Sequence, residues 1–299
     1  MTDSLDRFLA RVDALVDRLE RILPAGSQPV DWSAGTAFRW RKRAGRGYLD
    51  PVRHPHAIAF ADLKDIDEQK RRLRENTAQF VAGRPANNVL LTGARGTGKS
   101  SLVKAALGEF ARKGLRLIEV DKADLVDLPD IVDLVAGRRE RFVVFCDDLS
   151  FEASDPGYKS LKVALDGTIA GSADNLLIYA TSNRGHLMPE FMNENLETRH
   201  VGGEIHPGET TEEKISLSER FGLWLSFYPF DQDHYLAICA HWLREFGVPE
   251  NAIGKARGEA LQWSLMRASR SGRVAWQFAR DYGGRHAGKP ASSRPRKPK

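Results

Sequence analysis

The stretch NNVLLTGARGTGKSSLVKAAL, Asn87 to Leu107, decides how the rest of the chain reads. Val89 to Gly93 predicts a short buried strand, and Leu102, Val103, Ala106 and Phe110 recur at helical spacing behind it. Between them Gly93, Gly96, Gly98, Lys99 and Ser100 make the pattern G-x-x-x-x-G-K-[ST], in which successive backbone N–H groups can turn inward around a polyphosphate. The helix that begins near Lys99 aims the positive end of its dipole at the same point. Gly93, Ala94, Arg95, Gly96, Thr97, Gly98, Lys99, Ser100 and Ser101 are therefore the expected nucleotide cradle. Lys99 would reach the β- and γ-phosphates, and the Ser100 hydroxyl would bind Mg²⁺.

Bulk properties narrow the class. At 299 residues, 41% hydrophobic and 28% charged, the chain is long enough for one large α/β domain and a smaller one. No apolar run approaches the roughly 20 residues that span a bilayer, and the amino terminus lacks a signal-peptide core, so a cytoplasmic protein without membrane contact is expected. Its 2 cysteines, Cys146 and Cys239, form neither a disulfide framework nor a metal spacing. The net charge of +5 misleads: Arg285 to Lys299 holds six basic residues and no acid, which leaves the remainder at a formal −1.

Outward from the loop, LRLIEV (115–120), RFVVFC (141–146), LLIYA (176–180) and LWLSFY (223–228) are short, apolar and separated by helical stretches. With Val89 to Gly93 they predict a five-stranded parallel sheet, helices on both faces, over residues 61–228. A helix over Leu63 to Phe80 should feed the first strand. From Pro229 to Gly284 only helical periodicity remains, at 235–246, 258–268 and 272–282, which predicts a small all-α lid. Residues 1–23 carry an amphipathic stripe of Leu5, Phe8, Val12, Leu15, Leu19 and Ile22. Residues 285–299 make a basic tail too polar to order itself. In the arm over residues 24–60, Arg39, Arg41, Lys42, Arg43, Arg46 and Arg53 interleave with Trp32, Phe38, Trp40 and Tyr48. Two readings stand for that arm: a nucleic-acid surface of cations and flat rings, or aromatics packed on the core with solvated charges.

A phosphate loop needs a carboxylate across the sheet. FVVFCDD places Asp147 and Asp148 at the carboxyl end of a strand, where such sheets bind ligands. Asp147 is the candidate for the Mg²⁺ shell and Asp148 for the general base that polarises water. Asn183, after the next strand in ATSN, would orient that water or touch the γ-phosphate. Arg220, in SERF, could be lent to a neighbouring subunit to stabilise transition-state charge, and Arg273, in SGR, could report on the γ-phosphate from the lid.

The order GARGTGKS, FVVFCDD, ATSN, SERF and SGR resembles the AAA+ division of P-loop ATPases, with Walker A, Walker B, sensor 1, arginine finger and sensor 2 in sequence. NNVLLTGARGTGKSSLVKA, RLIEVDKADL, FCDDLSFE, YATSNRGHL and EKISLSERFGLWLSFYPFDQDHYLAI are similar to the bacterial ATP-binding family catalogued as domain of unknown function 815, over roughly Phe38 to Tyr282. The resemblance implies an ATPase core with nucleotide between core and lid, adenine near Asp65, Ile66 and Asp67, and a homo-oligomer in which Arg220 meets a neighbour's site. Many AAA+ ATPases have Asp-Glu where Asp147-Asp148 stand, which makes Glu152 a second candidate base. The polar stretch between Asn183 and Arg220 offers Arg199 as a second candidate finger. Two readings of function follow: an ATPase coupling hydrolysis to remodelling or loading a macromolecular client, or a nucleotide-gated binding module with little turnover, with nucleic acid a possible partner of the arm and tail. A small-molecule kinase would need an acceptor pocket that the sequence does not display.

Overall fold

The computed structural model describes residues 30–43, 45–55, 57–151, 155–166, 174–183, 199–201, 204–206 and 217–286. The amphipathic stripe, Glu152, most of the stretch between Asn183 and Arg220 and the basic tail beyond His286 lie outside them; the first two residues assigned to the tail, Arg285 and His286, instead end the last helix, where Arg285 pairs with Asp281 and Glu259. Strands β1 (Ala37–Arg43), β2 (Arg46–Pro51), β3 (Val89–Gly93), β4 (Leu115–Glu119), β5 (Arg141–Cys146), β6 (Leu176–Ser182) and β9 (Leu223–Phe227) form one sheet in the order β2-β1-β4-β5-β6-β3-β9. Every neighbouring pair is parallel except β1 and β2. A separate antiparallel pair joins β7 (Arg199–Val201) and β8 (Glu204–His206).

The five expected parallel strands are all present. Two more come from the stretch read as an arm, so the sheet has seven strands. Phe38 and Trp40 alternate with Arg39 and Arg41, and that period of two buries the rings on one face. Trp40 Nε1 donates to Asp127 Oδ2 at 2.8 Å, and Lys42 Nζ lies 2.8 Å from the same carboxylate and 3.3 Å from Asp124. Trp32 meets Phe38 and Phe142 edge to face at 5.0 and 4.8 Å. Trp32, Phe38 and Trp40 thus belong to the core, whereas Tyr48 of β2 stays exposed.

Both faces of the sheet are covered. Helices α1 (Asp67–Val81) and α2 (Lys99–Phe110) bury Leu73, Phe80, Leu102 and Val103 against Leu91, Val143 and Tyr179. Helices α3 (Leu128–Val135) and α4 (Pro156–Asp166) bury Ile131, Val135 and Leu161 against Val144 and Ile178 on the other side. This sandwiching is why the central strands carry unbroken apolar runs, at residues 89–91, 142–146 and 176–180. The helix expected from Leu63 begins later, at Asp67, because Asp65 adopts φ 59° and no helix passes through that conformation.

A third apolar cluster lies in α5 (Gln232–Glu245), α6 (Glu250–Met266) and α7 (Gly272–His286), centred on Tyr235, Phe278 and Tyr282. Phe230 packs against both this cluster and the sheet's. Helix α6 starts eight positions before the expected Gly258, since Pro249 caps it and Gly254 and Gly258 fall on its exposed side. Each glycine there costs about 1 kcal/mol, which the buried Ile253, Ala256 and Ala260 offset.

One buried polar network sets the register of the loop-bearing strand. Asn76 Nδ2 donates to Asn87 O at 2.9 Å and to the Tyr179 hydroxyl at 3.2 Å, while Asn87 N–H donates back to Asn76 Oδ1 at 3.0 Å. Burial pushes the Tyr179 phenol up to about 12, so it stays protonated. Asn76→Ala is expected to cost about 1–3 kcal/mol, because the Asn87 backbone loses its partners. Urea unfolding measures this, and a midpoint equal to the parent's would remove the network from the account.

Candidate functional site

The loop between β3 and α2 is shaped by contacts that exclude side chains. A Cβ on Gly93 would sit 1.9 Å from Phe227 O, and one on Gly96, at φ 75°, would sit 2.8 Å from Ser271. Ala94 N–H donates to Phe227 O at 3.3 Å, and Thr97 Oγ1 donates to Ala94 O at 2.8 Å, so the loop is pinned at its base. Lys99 is 5% exposed. Its ammonium donates to Gly93 O and Ala94 O at 2.7 Å each and to Asn183 Oδ1 at 2.9 Å. Burial holds its pKa below the ordinary lysine value, and the carboxylates of Asp148 and Asp147 oppose that shift.

Across from the loop, Asp147 and Asp148 leave the end of β5. Asp147 Oδ1 accepts from Ser100 Oγ and from Thr181 Oγ1, both at 2.6 Å. Asp148 stands at φ 56°, a left-handed conformation that costs a non-glycine residue about 1–3 kcal/mol. Thr181 offsets part of that cost: its hydroxyl accepts from Asp148 N–H at 2.9 Å, and its carbonyl accepts from Leu149 N–H at 2.7 Å. Asn183 Nδ2 donates to Asp148 Oδ1, and an Arg95 guanidinium nitrogen lies 3.8 Å from Asp148 Oδ2. One asparagine thus bridges the lysine and the second aspartate.

The helical lid closes the other side. Gly272 N–H donates to Gly96 O at 2.8 Å, joining the start of α7 directly to the loop. Between lid and sheet lies a cavity of about 560 Å³, within the range of ligand pockets. The polar end holds Gly96 to Ser101, Asp147, Asp148, Asn183 and Arg273. The apolar end holds Ile58, Leu63, Ile66, Ile238, Trp242 and Trp276. An anionic group and a flat apolar one can therefore bind side by side. Beyond this rim His241 Nε2 lies 3.8 Å from Asp62, and burial pushes its pKa down.

Most of the residues expected from the sequence converge on this cavity. Lys99, Ser100, Ser101, Asp147, Asp148, Asn183, Arg95, Ile66 and Arg273 all line it, whereas Asp65 and Asp67 do not. Arg220 lies elsewhere, three residues before β9 and so at the amino end of the strands, with Nε 2.5 Å from Asp166 Oδ1. Arg199 opens β7, and Glu152 lies outside the described residues. Sequence reasoning missed Thr181, although it lies two residues before Asn183 and a strand puts such residues on one face. It also missed Trp242 and Trp276; Trp276 sits three residues after Arg273, one turn along α7.

A model of the family described as protein of unknown function (DUF815) matches residues 33–286. ATP-dependent zinc metalloprotease FTSH 9, chloroplastic, of Arabidopsis thaliana is 38% identical over 156 residues, 46% of this chain and 19% of that protein. ATP-dependent zinc metalloprotease FtsH of Ralstonia pickettii is 27% identical over 204 residues, 58% of this chain and 27% of that protein. The chain therefore spans less than a third of the length of these relatives. Among solved structures, the FIGL-1 AAA domain in complex with ADP superposes with a TM-score of 0.51 at 16% identity, covering 76% of this chain and 73% of that one, which is a likeness of fold.

The two cavity tryptophans provide a signal for ligand entry. Titration with MgATP is expected to change the intrinsic fluorescence, and Trp276→Phe is expected to reduce that change. A parent spectrum indifferent to ATP at millimolar concentration would contradict the assignment of the cavity.

Proposed function

This chain belongs to the DUF815 family and has the AAA+ P-loop ATPase fold, and from that premise we propose that it binds ATP with Mg²⁺ between sheet and lid and hydrolyses it, as an oligomer acting on a macromolecular client. The observation that carries this reading is Ser100 Oγ lying 2.6 Å from Asp147 Oδ1, two oxygens 47 residues apart in sequence. A hydroxyl beside a carboxylate is a hard-oxygen pair suited to Mg²⁺, which when bound would neutralise charge on the phosphates.

The protein's own groups do the rest. Lys99 exchanges loop carbonyls for phosphate oxygens as a point charge. Asp148 takes the proton of a water whose oxygen bonds to the γ-phosphorus, while the bond to the bridging oxygen breaks and leaves ADP and phosphate. Asn183 positions Asp148 and the water, since its amide touches both Asp148 and Lys99. Arg273 reaches the same phosphates from the lid. The Gly272 to Gly96 hydrogen bond makes lid and loop move together, so nucleotide state alters lid position. Arg220 would leave Asp166 to meet a neighbouring subunit's nucleotide. The FtsH relatives are ATP-dependent proteases by name; only the ATP-dependent part is carried over to this chain.

A nucleotide-gated module with slow turnover is the second reading, favoured by Asp148 being held already by Asn183 and Arg95. Phosphate release decides between them. Asp148→Asn is expected to lower turnover at least about tenfold with ATP binding retained, and Thr181→Val to lower it in the same direction by freeing both aspartates. A parent that binds MgATP yet releases no phosphate supports the module, and a rate unchanged in Asp148→Asn reassigns the base. Lys99→Ala is expected to lose ATP binding. Mixed with Arg220→Ala, it should recover some activity if the arginine acts on a neighbour's site; no recovery at any ratio places Arg220 outside the chemistry.

A further inference from the structure

The hairpin β1–β2 carries more positive charge than its packing uses. Its pairing with β4 stops at Arg39 opposite Glu119, so the part from Trp40 to Tyr48 projects past the carboxyl edge of the sheet. The two faces of that finger differ. On one, Trp40 and Lys42 are anchored to Asp124 and Asp127, as described above. On the other, Arg41 stands opposite Tyr48, and Arg43 stands opposite Arg46. Arg41 and Arg43 are exposed, Tyr48 is 44% exposed, and among the described residues neither Arg41 nor Arg43 makes an ion pair.

Arg41 and Arg43 thus lie two apart on one face with no acid paired to either among the described residues, and the exposed Tyr48 ring beside Arg41 gains nothing from water. The acids that reach the hairpin from outside it are engaged, Glu119 by Arg39 at 2.6 Å and Asp124 and Asp127 by Lys42, and the hairpin's own exposed Asp50 stands opposite Arg39, not opposite Arg41 or Arg43. The chemistry that would complement both has negative charge at a regular interval with a flat ring between charges. Residues two apart on a strand are separated by about 6.7 Å, near the spacing of successive phosphates in an extended single strand. A paired duplex would hide its bases from Tyr48.

We infer that the outer face of the β1–β2 hairpin binds single-stranded nucleic acid, with Arg41 and Arg43 on successive phosphates and a base stacked on Tyr48. The face lies on the carboxyl side of the sheet, as the nucleotide cavity does, four strand spacings or about 19 Å across from β3.

The test is fluorescence anisotropy with the full chain, without ATP and at low salt, using labelled oligothymidylate and oligouridylate of about 16 nucleotides and a duplex of equal length. Arg41→Gln/Arg43→Gln is expected to weaken single-strand binding about tenfold or more and to flatten the slope of log K against log salt by about 1.4, two phosphates at 0.7 each. Tyr48→Ala should weaken it about tenfold, and the duplex should bind less tightly than either single strand. Thermal melts establish that the variants are folded. Charge reversal in the tail, at Arg294, Arg296 and Lys297, serves as the comparison. The inference is overturned if the hairpin variants bind as the parent does, if only the tail variant loses binding, if duplex binds equally with Tyr48 indifferent, or if the parent binds neither strand. It is also overturned if anionic phospholipid vesicles alone show the dependence on Arg41 and Arg43. Variants that bind normally but aggregate would assign the arginines to guarding an edge strand.

Discussion

A buried ammonium group is the constraint around which this molecule is built. A lysine amine out of water is stable only where acceptors surround it, and Lys99 finds three, two carbonyls of its own loop and the Asn183 amide oxygen. Those acceptors come from β3, the loop and the end of β6, so all three must hold their register. The parallel pairing of β3 with β6 and β9 supplies that register, and the Asn76, Asn87 and Tyr179 network fixes where β3 begins. The fold can be read as the scaffold that keeps one positive charge facing two negative ones across a short gap.

The same loop is the point where the lid takes hold. Gly96 offers its carbonyl to Gly272 N–H and has no room for a side chain beneath Ser271, so any change in the loop reaches α7 without an intervening layer. Arg273 follows immediately, and Trp276 one turn later faces the apolar end of the same cavity. An arginine and an aromatic ring at the two ends of the cavity thus come from neighbouring residues of one helix, which the Gly272 to Gly96 hydrogen bond ties to the loop.

Much of this was legible in the chain. The five parallel strands read correctly because each is apolar on both faces, a pattern that only a covered sheet produces. The loop residues from Arg95 to Ser101, both aspartates, Asn183 and Arg273 come together around one cavity because spacing around such a loop is geometrically restricted. The hairpin β1–β2 was hidden by composition: five basic residues in eight positions from Arg39 to Arg46 look like a solvated arm, although Phe38 and Trp40 alternate as a strand requires. Thr181 was hidden because a threonine at a strand end is ordinary, and its role comes from two long-range hydrogen bonds. Trp242 and Trp276 look like core residues on amphipathic helices, and only the lid's docking turns them toward a cavity. The start of α1 moved because one aspartate, Asp65, took a left-handed conformation that no local pattern signals.

The most direct test of the account is a crystal structure with a slowly hydrolysed ATP analogue and magnesium. The account requires the triphosphate inside the loop from Gly93 to Ser100, Lys99 turned from its carbonyls to phosphate oxygens, magnesium on the Ser100 hydroxyl, and the base at the Trp242 and Trp276 end under the lid. Phosphates bound elsewhere, with the Lys99 ammonium still on Gly93 and Ala94, would contradict it.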